Sequence, residues 1–98
     1  MPERLRPRWT LHRGTSRRLL PGVLAQLDGL GLFIHDSQHT YRNVSWELRT
    51  VTPHLVRPAA IVVDDVAGNR AFEEWVERNR PAYSAVIAEE PVGVAVIV

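Results

Sequence analysis

Acidic side chains follow two short apolar runs, at the points where predicted strands would leave the core. Asp64 and Asp65 come directly after a β-branched run within Ala59–Val66, and Asp36 follows the apolar run Leu32–Ile34. A buried carboxylate without a partner is costly, so these groups must reach water, hydrogen-bond donors or a cation. Ligands of open α/β sheets bind beyond the carboxyl ends of the strands. The paired acids are therefore a candidate site, and an ordinary strand-to-loop exit is the alternative.

The spacing of these acids predicts that they share one edge of a sheet. The segment between Asp36 and Asp64 is as long as one strand–helix–strand unit, whose two strands run parallel. His39 lies three residues after Asp36, and a histidine side chain can exchange a proton near neutral pH. His35 is expected to alternate along its strand, and a zinc site built from His35 and His39 is disfavoured.

Length and composition limit the class of protein. The chain has 98 residues, 45% hydrophobic and 23% charged residues, a net charge of +1 and no cysteine. These values fit one small globular domain without disulfides or thiolate metal sites. The sequence contains no apolar run long enough to span a membrane and no signal peptide, so a cytoplasmic location is expected.

The first eight residues form a separate Arg- and Pro-rich segment. Arg4, Arg6 and Arg8 could contact nucleic acid, but no aromatic interleaving or binding motif accompanies them. A solvated terminus is the preferred interpretation. We therefore expect neither a nucleic-acid partner nor a membrane partner.

Periodicity and turn residues predict an α/β chain with the order β-α-β-α-β-α-β-β. Helices are expected after the capping residues Thr15 or Ser16, Thr40 and Asn69. A turn at Glu89–Pro91 makes the last two strands an antiparallel hairpin. The predicted strands are Trp9–His12, the runs around Leu32 and Ile61, Tyr83–Ala88 and Val92–Val98.

With these elements placed, the sequence resembles the C-terminal part of a class I S-adenosylmethionine-dependent methyltransferase. The nearest group is the metal-dependent small-molecule O-methyltransferases, including the methyltransferase 24 families. The resemblance rests on Gly14–Arg17 with Leu20 and Pro21, on Phe33–Tyr41, and on Leu55–Val66. It implies a Rossmann-like fold, with a mostly parallel sheet, helices on both faces and a C-terminal antiparallel hairpin.

The resemblance also implies roles for individual residues. Asp36, Asp64 and Asp65 match the acids that bind a divalent cation, usually Mg²⁺, and such hard oxygen ligands suit that ion. His39 matches a general base, and its imidazole suits proton transfer near neutral pH. Gly14 and Ser16 match cofactor contacts, and Asp36 is placed with them in the cofactor site. The implied cofactors are S-adenosylmethionine and Mg²⁺.

Two strands of the family pattern are expected to be missing. The chain lacks the glycine-rich loop that approaches the cofactor, because Gly29–Gly31 precedes a strand instead of following one. Residues 9–98 are therefore expected to be a partial domain with strands three to seven, from a truncated reading frame, a split protein or a remnant. Thr15 stands where many members carry an acid.

The predicted function is metal-assisted methyl transfer to a small-molecule hydroxyl by an incomplete domain. The alternative is a non-catalytic remnant, or a subunit that associates through an exposed sheet edge. Possible partners are a second copy or a complementing N-terminal half. Sugar hydroxyls, catechols and other small alcohols all remain open as methyl acceptors.

Overall fold

Three helices and four strands make up the described part of the chain. The computed structural model describes residues 10–87, 89 and 91–98. The elements are α1 (Ser16–Ala25), β1 (Leu30–His35), α2 (Tyr41–Val51), β2 (Leu55–Val63), α3 (Ala71–Asn79), β3 (Tyr83–Ile87) and β4 (Val92–Ile97). Short 3-10 turns cover Thr52–His54 and Val66–Gly68.

The strands form one mixed sheet in the order β1-β2-β4-β3. β1 and β2 are parallel, as predicted, whereas β4 is antiparallel to both β2 and β3. The predicted C-terminal hairpin is thus confirmed. The expectation of a mostly parallel sheet is wrong for the described strands, because β4 inserts between β2 and β3 and makes two of the pairings antiparallel.

The strand predicted at Trp9–His12 is not formed over its described residues, Thr10 to His12. Trp9 lies outside the described part of the chain. Among the described strands β1 is the edge strand on that side, and the first segment has no strand beside it to accept its hydrogen bonds. The sequence pattern of a strand does not show whether a second strand lies beside it.

Local capping explains where two helices begin. Thr15 Oγ1 accepts a hydrogen bond from the Arg18 amide at 3.3 Å, and Thr40 Oγ1 accepts one from the Asn43 amide at 3.1 Å. These bonds satisfy amides that a first helical turn leaves free. Asn69 Oδ1 likewise accepts from the Ala71 amide at 2.9 Å at the start of α3. The predicted caps Thr15 and Thr40 are confirmed, whereas the N-cap of α3 is Arg70 and Asn69 lies one residue before it.

The core lies between the helices and one face of the sheet. Val44 and Leu48 of α2 and Phe72 and Trp75 of α3 pack against the buried sheet residues Ile61, Val63 and Ala95. α1 lies beside α2, where the Arg17 guanidinium sits 4.9 Å from the Trp46 ring centre. Burial of this apolar surface is the main force that holds the layers together.

The opposite face of the sheet is not covered by any described helix. Leu32 and Ile34 of β1 are 54% and 60% exposed, although their neighbours Phe33 and His35 face the helices. The expectation of helices on both faces is therefore not met in the described residues. None of the described helices is long and apolar enough to cross a bilayer.

Candidate functional site

The ends of β1 and β2 bring the sequence-predicted acids to one edge of the sheet. His35 pairs with Val63 in the parallel ladder, so Asp36 and Asp64 leave adjacent strands at the same level. The Asp64 amide donates to the His35 carbonyl at 3.0 Å, which extends the ladder past the strand ends. The prediction that the two acidic ends share an edge is confirmed.

His39 lies between the carboxylates of the two strand ends. Its Nε2 atom is 3.7 Å from Asp36 Oδ1 and 3.8 Å from Asp64 Oδ2. One donor atom from each of these three residues lies within 4.8 Å of the other two. The structure thus brings together the predicted base and two of the predicted metal ligands.

Asp65, the third predicted metal ligand, approaches His39 from the other side of the imidazole ring. Its Oδ2 atom is 3.2 Å from His39 Nδ1. Asp65 has a left-handed backbone, with φ of 54°, a conformation that Asp tolerates better than most residues. This turn directs its carboxylate toward Nδ1, away from the Nε2 side where Asp36 and Asp64 lie.

Asn69 connects the same loop to the start of α3. Its Nδ2 atom donates to the His39 carbonyl at 3.1 Å, while its Oδ1 atom caps the Ala71 amide. The backbone of His39 is therefore held by α3, and its side chain by the loop after β2. Two elements that are distant in sequence fix this one residue.

The donor set at this edge fits a divalent cation. Two carboxylates and an imidazole nitrogen are suitable ligands for a hard or borderline metal ion. His39 Nε2 is buried and has no hydrogen-bond partner among the described residues. Such an atom requires a partner, and either a cation or a substrate hydroxyl would provide one.

The residues predicted to contact the cofactor lie at the start of α1 and at the end of β1. Gly14 has φ of +150°, and a Cβ atom there would lie 2.8 Å from Leu19 Cδ1. Glycine is therefore favoured at this position by its backbone conformation, and a larger residue would also require the Leu19 side chain to move. The side chain of Asp36 is 73% exposed and can accept hydrogen bonds from a ligand.

A buried polar network lies beneath this edge. Glu47 of α2 is 3% exposed and His35 of β1 is 1% exposed, and Glu47 Oε1 lies 2.9 Å from His35 Nδ1. Glu47 Oε2 accepts from Ser16 Oγ and Ser37 Oγ, both at 2.7 Å, and from Asn43 Nδ2 at 3.1 Å. Several donors thus converge on one carboxylate.

The hydrogen bonds of this network keep Glu47 ionised. Burial raises the pKa of Glu47, but the hydrogen bonds from His35, Ser37 and Ser16 outweigh it and lower the pKa to about 2. A buried carboxylate that accepts several hydrogen bonds is stable in its charged form. Glu47 is therefore a fixed negative charge under the site.

Sequence reasoning missed this network, although one signal for it was present. Val44, Glu47, Leu48 and Val51 follow each other at helical spacing, so Glu47 lies on the apolar stripe that faces the sheet. An acid on a buried stripe requires a buried partner. The partner, His35, was expected only to alternate along its strand.

The mixed sheet with its helical layer and the acidic edge define an α/β domain with a candidate catalytic site. A family model described as a methyltransferase domain matches residues 2–66. The match covers more than half of the chain, and the chain belongs to this family of methyltransferase domains. Gly14, Ser16, Asp36, His39, Glu47, Asp64 and Asp65 all lie within the matched segment. Comparison with curated proteins and with solved structures gave no match.

Proposed function

We propose that this domain takes part in S-adenosylmethionine-dependent methyl transfer to a hydroxyl group of a small molecule, assisted by a divalent cation. The observation that carries the proposal is the convergence of Asp36, His39 and Asp64 within 4.8 Å at the carboxyl edge of the sheet. Membership of the methyltransferase domain family supports the reaction type. The sheet order, with a parallel pair followed by an antiparallel hairpin, supports a Rossmann-like methyltransferase fold with its first two strands missing.

His39 accepts the proton of the acceptor hydroxyl in this proposal. Asp65 receives the hydrogen bond of Nδ1–H, which places the lone pair of the neutral imidazole on Nε2. Nε2 then faces Asp36 and Asp64, where the hydroxyl would bind. The O–H bond breaks as the N–H bond forms, and Asp65 stabilises the imidazolium that results.

Asp36 and Asp64 would hold the cation, and Asp65 would orient the base rather than act as the third ligand. A divalent cation, when bound, supplies Lewis-acid polarisation of the hydroxyl oxygen. S-adenosylmethionine, when bound, supplies an electrophilic methyl group on a sulfonium. Gly14, Ser16 and Asp36 are the residues of this chain that would contact it.

Titration of the chain with Mn²⁺, with and without S-adenosylmethionine, tests this arrangement by calorimetry. We expect Asp64→Asn to weaken Mn²⁺ binding by more than about 10-fold, because it removes a charged oxygen ligand. Asp28→Asn changes an exposed acid between α1 and β1 and should leave the affinity unchanged. His39→Gln should weaken Mn²⁺ binding less than Asp64→Asn does, because both carboxylates of the donor set remain. Equal affinity for Asp64→Asn and the unaltered chain would contradict the proposal.

A second candidate function is that of a subunit that associates through its open sheet face and edge. The observation that favours it is the apolar surface around Leu32 and Ile34 on the edge strand β1. The sheet residues that register with them, Ala60, Val62, Val94 and Val96, are also uncharged. We propose a second copy of the chain as the occupant, since two such faces can meet without burying an unpaired charge. A chain that remains monomeric at high concentration in sedimentation would contradict this.

A further inference from the structure

Glu47 lies at the meeting point of the segments that carry the candidate site. Its carboxylate accepts hydrogen bonds from Ser16 at the start of α1 and from Ser37 in the loop after β1. It also contacts His35, the last residue of β1, and Asn43 in its own helix. These contacts connect α1, β1 and the loop after it to a single side chain of α2.

The contacts of Glu47 hold the backbone on both sides of Asp36. His35 comes directly before Asp36 and Ser37 directly after it, and both donate to the same carboxylate. Asn43 Nδ2 also donates to the Gln38 carbonyl at 2.9 Å, which holds the loop one residue further on. Asp36 itself is exposed, so its position depends on these neighbours and not on its own packing.

The same carboxylate fixes the first residue of α1. Ser16 Oγ donates to Glu47 Oε2 at 2.7 Å across the junction between α1 and α2. Ser16 was predicted to contact the cofactor, and Gly14 precedes it by two residues. The Glu47 carboxylate therefore contacts both the first residue of α1 and the loop that carries Asp36.

We propose that Glu47 is a positioning residue for methyl transfer, which holds Asp36 and Ser16 in register through the hydrogen bonds that its carboxylate accepts. The inference rests on the proposed function, because it concerns how residues of that site are held in place. Glu47 touches neither the reacting atoms nor the cation. It acts through His35, Ser37 and Ser16, whose donors converge on one ionised carboxylate, and hydrogen bonds to a charged group are the strong ones.

The test compares Glu47→Leu with Glu77→Leu. Leucine fills a volume similar to that of glutamate but accepts no hydrogen bond, whereas Glu77 is an exposed acid of α3 with a 63% exposed side chain. At a temperature where each variant is folded by circular dichroism, we expect Glu47→Leu to weaken Mn²⁺ binding by about 10-fold, the lower end of the loss seen when a hydrogen-bond partner of a ligand is removed. The lower end applies because Glu47 bonds to the neighbours of Asp36 and not to Asp36 itself. We expect Glu77→Leu to bind Mn²⁺ with the same affinity as the unaltered chain. Unchanged Mn²⁺ affinity in folded Glu47→Leu would overturn the inference.

Milder variants decide the question if Glu47→Leu does not fold. Ser37→Ala and Ser16→Ala each remove one donor from the carboxylate, and Ser84→Ala on the exposed part of β3 is the matched control. We expect Ser37→Ala to weaken Mn²⁺ binding. We expect Ser16→Ala to shift the backbone amide resonance of Asp36, which is distant from Ser16 in the sequence and is connected to it through Glu47. If neither variant differs from Ser84→Ala in these measurements, the inference is wrong.

The amide resonances also separate this inference from the proposed function. If the unaltered chain binds no Mn²⁺, the proposed metal site fails, and the shift of the Asp36 amide in Ser16→Ala still reports whether the network positions that residue. If the unaltered chain binds Mn²⁺ and Asp64→Asn abolishes binding, the site stands. Unchanged binding in Glu47→Leu would then reject the positioning role alone.

Discussion

Glu47 is ionised in a buried position because its neighbours supply hydrogen-bond donors. Its side chain is 4% exposed and faces His35, Ser16, Ser37 and Asn43. An isolated carboxylate at such a position would be neutral, with a raised pKa. The donors reverse this and lower the pKa of Glu47 to about 2. The network therefore couples protonation of one side chain to the stability of the fold.

We predict that this coupling destabilises the chain in acid. A carboxyl whose pKa is lower in the folded state stabilises that state above its unfolded pKa of 4.5, and the contribution is lost as the pH falls toward 2. The full shift corresponds to about 3 kcal/mol, and solvent screening reduces the expected loss to about 1–2 kcal/mol. Urea unfolding at a series of pH values measures this loss of stability.

The variant Glu47→Gln has no carboxyl to titrate and should lose this part of the pH dependence. Glu77→Gln keeps Glu47 and should follow the unaltered chain, since Glu77 is exposed on α3. An identical acid profile for Glu47→Gln and Glu77→Gln would show that Glu47 does not carry the effect.

At the scale of elements, α3 packs against β4 through a contact that requires glycine. A Cβ atom at Gly93 would lie 2.6 Å from two ring carbons of Phe72, which is 5% exposed. The Phe72 ring is enclosed between helix and sheet and has little room to move. Gly93 is therefore a position in β4 where the Phe72 ring of α3 lies against the strand backbone.

We predict that Gly93→Ala destabilises the fold by about 1–3 kcal/mol, the usual cost of overpacking a filled core. The matched control is Gly22→Ala in α1, where an added Cβ meets no atom within 4 Å. That change should stabilise the chain by about 0.5–1 kcal/mol through helix propensity. Thermal or urea unfolding compares the two, and equal stability of both variants would refute the packing argument.

At the scale of the whole molecule, the helices cover one face of the sheet and the other face stays open among the described residues. The exposed side chains on the open face include Leu32 and Ile34 of β1 and Tyr83 and Ile87 of β3. Water in contact with so much apolar surface favours association. The described residues place no charged side chain from β1, β2 or β4 at the centre of this face.

We predict concentration-dependent self-association that depends on this face. Ile34→Lys places a charge in the apolar surface on the edge strand β1 and should shift the chain toward monomer in analytical ultracentrifugation. Val86→Lys is the control, because Val86 is 55% exposed but pairs with Gly93, on the side of the sheet that faces the helices. Equal association of both variants would exclude the open face as the contact surface.

Several features of the fold follow from residue types and periodicity in the sequence alone. The caps at Thr15 and Thr40 depend on an amide three residues away, so residue type and position are sufficient. The parallel pairing of β1 with β2 follows from the length of the helical segment between them. That pairing also placed Asp36 and Asp64 on one edge, because both follow their strands immediately.

Only the tertiary structure showed which side chains contact each other and which face of the sheet the helices cover. Periodicity placed Glu47 on a buried stripe but could not show that Ser16, 31 positions away in the sequence, would donate to it. It could not show that Asp65 would turn toward Nδ1 of His39, because that depends on a left-handed backbone after β2. Periodicity also could not show that all the described helices lie on one face of the sheet. The local sequence indicates which residues need a hydrogen-bond or packing partner. Only the packing of distant segments supplies that partner.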